Sequence, residues 1–256
     1  MKTLLQVENL TAVVGGVQVL HVTDLELAQS QVMAVVGPNG SGKSTLLLCL
    51  AGLMDIAGGR LLFRGQEVSG HSQRAGLRRH ITMVFQEPLL FDSTVKANIE
   101  SGLRLHGVTS GERRRWVEEA AALFGISHLL GRSARKLSGG ESQRASLARA
   151  FAIHPDVLLM DEPFSALDAP TKLALLNDLG RILKETNTTA IFSTHDLNEA
   201  IYLANHILVL NNGLLVQQGT VQDVLHNPKD SFVEALVVSL KATAEQVVKN
   251  LFLNQN

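Results

Sequence analysis

The run Gly37-Pro38-Asn39-Gly40-Ser41-Gly42-Lys43-Ser44 sets glycines, a lysine and a hydroxyl at the spacing G-x-x-x-x-G-K-S. Glycines let a backbone curl until its N–H groups converge on anionic oxygens. A helix N-terminus behind them adds the positive end of its dipole. Lys43 brings a charge for the β- and γ-phosphates of a nucleotide, and the Ser44 hydroxyl is a hard ligand for Mg²⁺. The expected phosphate cradle is Gly37, Pro38, Asn39, Gly40, Ser41, Gly42, Lys43, Ser44 and Thr45. An acidic part must complete the metal site. Val157-Leu158-Leu159-Met160 runs into Asp161-Glu162, an apolar strand ending on two acids. Asp161 is expected to hold Mg²⁺, directly or through water. Glu162 is expected on the other side of the pleat, placed to polarise an attacking water.

These groups need strands and helices to position them. Val32 to Val36 is a continuous apolar run, which suits a strand buried on both faces. A helical stretch follows from Lys43 to Leu53, broken by Gly58-Gly59. Further strands are expected at Leu4 to Leu10, Val17 to Val19, Leu25 to Leu27 and Arg60 to Phe63. From Glu87 to about Pro155 the composition turns to Ala, Leu, Glu and Arg, which reads as a helical insertion. Beyond the acids come a helix, Ala169 to Thr186, and a third buried run, Thr189 to Ser193. Asn211-Asn212-Gly213 is a hairpin turn between Ile207 to Leu210 and Leu214 to Val216. Strands alternating with helices imply an α/β fold with a parallel core sheet.

Leu137-Ser138-Gly139-Gly140-Glu141-Ser142-Gln143-Arg144 resembles the signature motif of ABC-type ATPases. In the same order, Gln86 resembles that family's Q-loop glutamine, Ser165-Ala166-Leu167-Asp168 its D-loop, and His195 its switch histidine. The resemblance implies a P-loop NTPase cassette over residues 1–226, with an antiparallel β subdomain and a helical subdomain inserted at about 87–155. A short helical tail over 227–256 completes the expected layout. It implies ATP and Mg²⁺ as cofactors and a head-to-tail homodimer. Each ATP would lie between one chain's phosphate loop and the partner's Ser138, Gly139, Gly140 and Glu141. Glu162 would then be the general base, with His195 and Lys43 on the γ-phosphate. Ser44, Gln86 and Asp161 would serve the metal, and Asp168 would act across the dimer.

One position departs from the pattern. The family usually carries an aromatic residue upstream of the phosphate loop, stacked on adenine. No Phe, Tyr or Trp precedes Phe63, and Val14 stands in that region. Stacking there is expected to be absent, or replaced by aliphatic contact from Val14 or a neighbour, helped by Val19. The chain is aromatic-poor throughout, at 4% of 256 residues.

Composition narrows the partners. Lys plus Arg is 23 and Asp plus Glu 24, a net charge of −1, so no nucleic-acid partner is expected. The triplets Arg78-Arg79-His80 and Arg113-Arg114-Arg115 read as solvated faces. Hydrophobic residues reach 45%, which excludes disorder, yet no apolar run is long enough to span a bilayer. The resemblance implies a cytoplasmic chain, peripheral on the cytoplasmic face of the membrane. Its partner there would be a separate transmembrane permease, reached indirectly by a solute-binding protein. Leu89, Leu90 and Phe91 are candidate permease contacts, or else pack the helical subdomain. The run Asp161 to Asp168 resembles that of oxyanion importers of the tungstate and molybdate type. A polar amino acid importer, a separate-subunit exporter and a soluble ABC ATPase of translation or DNA repair are the alternatives.

Overall fold

β1 (Thr3–Val14) and β2 (Val17–Ala28) form a long antiparallel hairpin closed by Gly15 and Gly16, at φ 57° and 81°. The sequence predicts two short strands where β2 runs unbroken. Pairing with β1 carries it through the polar stretch at His21, Thr23 and Asp24, with Leu20 and Val22 turned inward. The computed structural model describes residues 2–240.

The chain continues through β3 (Val32–Val36) and α1 (Lys43–Leu50) to β4 (Gly58–Phe63), β5 (Gln66–Glu67), α2 (His71–Leu77) and β6 (Ile81–Val84). α1 is shorter than predicted, because Gly52, at φ 63°, turns the chain away. Gly58 and Gly59 instead open β4. Three helices follow: α3 (Val95–Leu105), α4 (Ser110–Leu123) and α5 (Gly139–Ala152). Then come β7 (Val157–Met160), α6 (Ala169–Glu185), β8 (Ala190–Thr194) and α7 (Leu197–Leu203). β9 (His206–Asn211), β10 (Leu214–Thr220) and α8 (Val221–His226) follow, and residues 231–240 are helical. The rest of the expected tail lies outside the described residues.

Among the described residues the strands form one ten-stranded sheet in the order β5-β4-β1-β2-β10-β9-β3-β8-β7-β6. β9, β3, β8, β7 and β6 are parallel, while β1, β2, β4 and β5 are antiparallel. A single parallel pair, Leu214 with His21, joins the two halves. The central strands separate two apolar cores by the parity of their side chains. Val32, Ala34, Val36, Leu158, Met160 and Phe192 face the core shared with the helices of the insertion. Met33, Val35, Val157, Leu159 and Ile191 face the core beneath α1 and the antiparallel strands. That two-sided burial explains the continuous apolar runs in these strands.

Candidate active site

β3, β8, β7 and β6 lie side by side and end together, through the pairs Val36 with Thr194, Met160 with Phe192, and Val84 with Met160. The phosphate loop leaves β3, Asp161-Glu162 leave β7, His195 leaves β8, and Gln86 follows β6. The carboxyl ends of parallel strands are where open α/β sheets bind ligands.

The loop between β3 and α1 has the backbone of an anion cradle. Gly40 and Gly42 lie at φ 79° and 97°, a region side chains disfavour. A Cβ on Gly37 would sit 2.2 Å from the Leu210 carbonyl oxygen. Gly42 is the N-cap of α1 and offers no side chain to the helix, so the first N–H groups face outward uncapped. Ser41 Oγ is buried with no partner among the described residues, and such an atom is costly unless a ligand oxygen satisfies it. Ser44, the candidate metal hydroxyl, is exposed and Thr45 half-buried. The β9–β10 turn braces the loop from behind. Gly213 N donates to Ser41 O at 3.1 Å, and a Cβ on Gly213 would meet Val19 O at 2.4 Å.

Lys43 is 5% exposed. Its Nζ donates to the carbonyls of Gly37 and Pro38 at 3.0 and 3.1 Å and lies 3.2 Å from Glu162 Oε1. The other carboxylate oxygen, Oε2, lies 3.1 Å from His195 Nδ1. Glu162 therefore stands between the lysine and the histidine. The pleat argument does not explain this direction, because both acids lie past the last residue of β7. Glu162 is at φ 42°, in the left-handed region. Ser193, fully buried, holds the strained turn: its Oγ donates to Asp161 Oδ1 at 2.6 Å and accepts from Glu162 N at 2.9 Å. Sequence reasoning missed Ser193 as a site residue; its one signal is its place two residues before His195. Gln86 is exposed, beyond Val84, whose carbonyl accepts from Asp161 N at 2.8 Å.

The structure does not bring the signature to this loop. Ser138 caps α5 and forms a reciprocal box: Glu141 N donates to Ser138 Oγ at 3.3 Å, and Ser138 N donates to Glu141 Oε2 at 2.7 Å. Those hydrogen bonds, the backbone one first, hold the Glu141 carboxyl below its ordinary value. The N–H groups of Gly139 and Gly140 lie outside that box. Asp168 caps α6, accepting from Thr171 N at 3.0 Å and Thr171 Oγ1 at 2.9 Å, and both bonds depress its pKa. Val14 lies beside the β1–β2 turn, half exposed, with Val13 and Val17 exposed near it.

A family model described as ABC transporter matches residues 20–165. The chain belongs to the ABC transporter family. It is 42% identical over 224 residues to a sulfate/thiosulfate import ATP-binding protein of Caulobacter vibrioides, a match covering 86% of this chain and 65% of that protein. It is 38% identical over 237 residues to an sn-glycerol-3-phosphate import ATP-binding protein of Cupriavidus metallidurans, covering 92% and 64%. The chain thus spans a little under two thirds of the length of these curated relatives. Among solved structures, cbiO1 from Clostridium perfringens, described as part of the ABC transporter complex cbiONQ, matches with a TM-score of 0.83 at 27% identity. That match covers 98% of this chain and 99% of that one.

Other surfaces of this ABC transporter chain have simpler accounts. No helix among the described residues is long and apolar enough to cross a membrane. Arg113 pairs with Glu100, Arg114 with Glu118 and Arg115 with Glu119, so that basic triplet is balanced within the chain. Leu89 and Phe91 are 56% and 60% exposed and line a groove of about 410 Å³ with Leu53, Phe85 and Leu105. Leu90 follows the alternative expected for this run: it packs on the core of the helical insertion. Arg149 fixes this segment by donating to the carbonyls of Pro88 and Leu89, each at 3.0 Å.

Proposed function

We propose that this chain is the ATP-binding and hydrolysing subunit of a membrane transporter. The observation that carries the reading is the Glu162 carboxylate held between Lys43 and His195 at the mouth of an uncapped helix. ATP phosphates would take the N–H groups of Asn39, Gly40 and residues 42–45 and the charge of Lys43. Glu162 would orient and deprotonate the attacking water, and His195 would steady the charge that develops on the γ-phosphate. Ser44, Gln86 and Asp161 would hold Mg²⁺. This all-oxygen set with one carboxylate suits that ion, which prefers few protein ligands and completes its shell with phosphates and water. Mg²⁺ supplies charge neutralisation on the phosphates.

The Gly139 and Gly140 N–H groups, left outside the Ser138–Glu141 box, are suited to a nucleotide held by a second copy, which supports a head-to-tail homodimer. The Leu89–Phe91 groove is suited to an apolar helix of a separate permease, itself fed by a solute-binding protein. That assembly would keep the chain on the cytoplasmic face of the membrane. The named relatives are import ATP-binding proteins for sulfate or thiosulfate, which are oxyanions, and for sn-glycerol-3-phosphate, an ester of one, and this supports an oxyanion as the cargo. Tungstate or molybdate is the narrower choice, resting on the run Asp161 to Asp168.

Phosphate release from ATP by the purified chain tests the core of this reading. Release is expected only with Mg²⁺, and none under any metal condition would overturn it. Reconstitution with the cognate permease and binding protein, supplied in turn with molybdate, tungstate, sulfate and sn-glycerol-3-phosphate, tests the cargo. Stimulation by none of these would overturn the oxyanion assignment.

A further inference from the structure

His195 sits in a turn that is bound on both sides of it. Before it, Thr194 Oγ1 donates to Glu199 Oε2 at 2.6 Å, with Glu199 5% exposed. After it, Asp196 N donates to Thr194 Oγ1 at 2.9 Å. The Lys172 ammonium joins the two acids, 2.9 Å from Asp196 Oδ2 and 2.5 Å from Glu199 Oε1. Lys172 lies in the first turn of α6, where its N–H donates to Asp168 O at 2.8 Å. The preceding residue, Thr171, is clamped by Asp168 and stands so close to the signature that a Cβ on Gly140 would meet its Cγ2 at 2.5 Å. One turn of helix therefore touches the signature on one side and the histidine turn on the other.

We propose that Lys172 is a positioning residue for His195, linking the signature at Gly140 to the His195–Glu162 contact through the first turn of α6. The proposal rests on the ATPase reading above and goes beyond it by assigning a residue outside the recognised motifs. A half-buried ion pair such as Lys172–Asp196 is weak evidence of a stabilising role, since part of its attraction is screened by solvent. These charges instead join the two elements whose relative placement sets the direction of the histidine. Burial pushes the Lys172 ammonium down, yet hydrogen bonds to Glu199 and Asp196 outweigh it and lift its pKa above the ordinary lysine value. Burial likewise pushes the Asp196 carboxyl up, but Lys172 and Asn198 hold it below its ordinary value. The link is therefore charged at neutral pH.

The test uses the full chain with Lys172→Met, Lys172→Arg and Asp196→Asn, each alone and combined with His195→Ala. Lys172→Met is expected to lower kcat about 10- to 100-fold with KM for MgATP within about 2-fold, as for a misdirected catalytic group. Lys172→Arg should restore most of the loss. In the His195→Ala background the loss should vanish, since a residue acting through His195 has nothing left to act on. The His195 ring signals in NMR should move in Lys172→Met and return in Lys172→Arg, with those of His80 and His154 unmoved. If Lys172→Met fails to fold, Asp196→Asn makes the same comparison, because Asn keeps the cap on α7 while losing the charge. Losses that add fully to His195→Ala, or unmoved His195 signals, would overturn the link while leaving the ATPase reading intact. A wild-type chain without Mg²⁺-dependent hydrolysis would overturn both.

Discussion

The Lys43 ammonium lies 3.2 Å from the Glu162 carboxylate, joining the helix after β3 to the turn after β7. The lysine expected on phosphate and the acid expected to act on water share one contact. An anion entering the cradle would compete with Glu162 for the Lys43 charge, which would couple phosphate binding to the freedom of the acid.

Glu162→Gln removes one of the two negative partners in that competition. Turnover is expected to fall about 10²–10⁴-fold, the usual contribution of a general base. Affinity for MgATP should hold or rise, because a neutral amide no longer competes for Lys43. Steady-state hydrolysis and titration with a fluorescent nucleotide check both halves; unaltered turnover would remove Glu162 from the base role.

Ser193→Ala leaves the buried Asp161 Oδ1 and Glu162 N without their shared partner. Loss of about 1–3 kcal/mol of stability is expected, the cost of an unsatisfied buried group. Activity should fall with it, since the turn at Glu162 is strained and Ser193 restrains it. Urea unfolding beside an ATPase assay checks this, and wild-type values in both would show the hydroxyl to be dispensable.

Gly213→Ala separates backbone strain from crowding when set beside Gly107→Ala. Both glycines have positive φ, 77° and 72°, but only Gly213 would press a Cβ onto backbone, at Val19 O. Gly107→Ala should cost about 1–2 kcal/mol from conformation alone. Gly213→Ala should cost more and also weaken nucleotide binding, because it displaces the strut behind Ser41. Equal losses in thermal unfolding and unchanged binding would dissociate the β9–β10 turn from the phosphate loop.

Val14→Tyr supplies the aromatic face that the β1–β2 hairpin lacks. Stacking on a base contributes about 1–3 kcal/mol, so affinity for ATP should rise roughly 5- to 150-fold. GTP should gain similarly, because every base has a face to stack. Calorimetric titration with both nucleotides checks the placement of Val14 at the base, and unchanged affinities would put the base elsewhere.

The sequence by itself determined the glycine-rich loop, the acid pair, the signature run and the alternation of the main strands and helices along the chain. Each is a contiguous run whose conformation is largely local: glycines at fixed spacing curl, and apolar runs of strand length bury. The short edge strand β6 and the helix α2 escaped notice, since four residues such as Ile81–Val84 carry too little periodicity to stand out. The contacts that aim the chemistry were decided only by tertiary structure. Ser193 meets Asp161 and Glu162 because β8 lies beside β7, Gly213 meets Ser41 because β9 lies beside β3, and Lys172 meets Asp196 because α6 packs near the end of β8. Serine, glycine and lysine are ordinary in any of those positions. What distinguishes them is the neighbour that sheet order brings within hydrogen-bonding distance, and strand adjacency is a property of the whole fold.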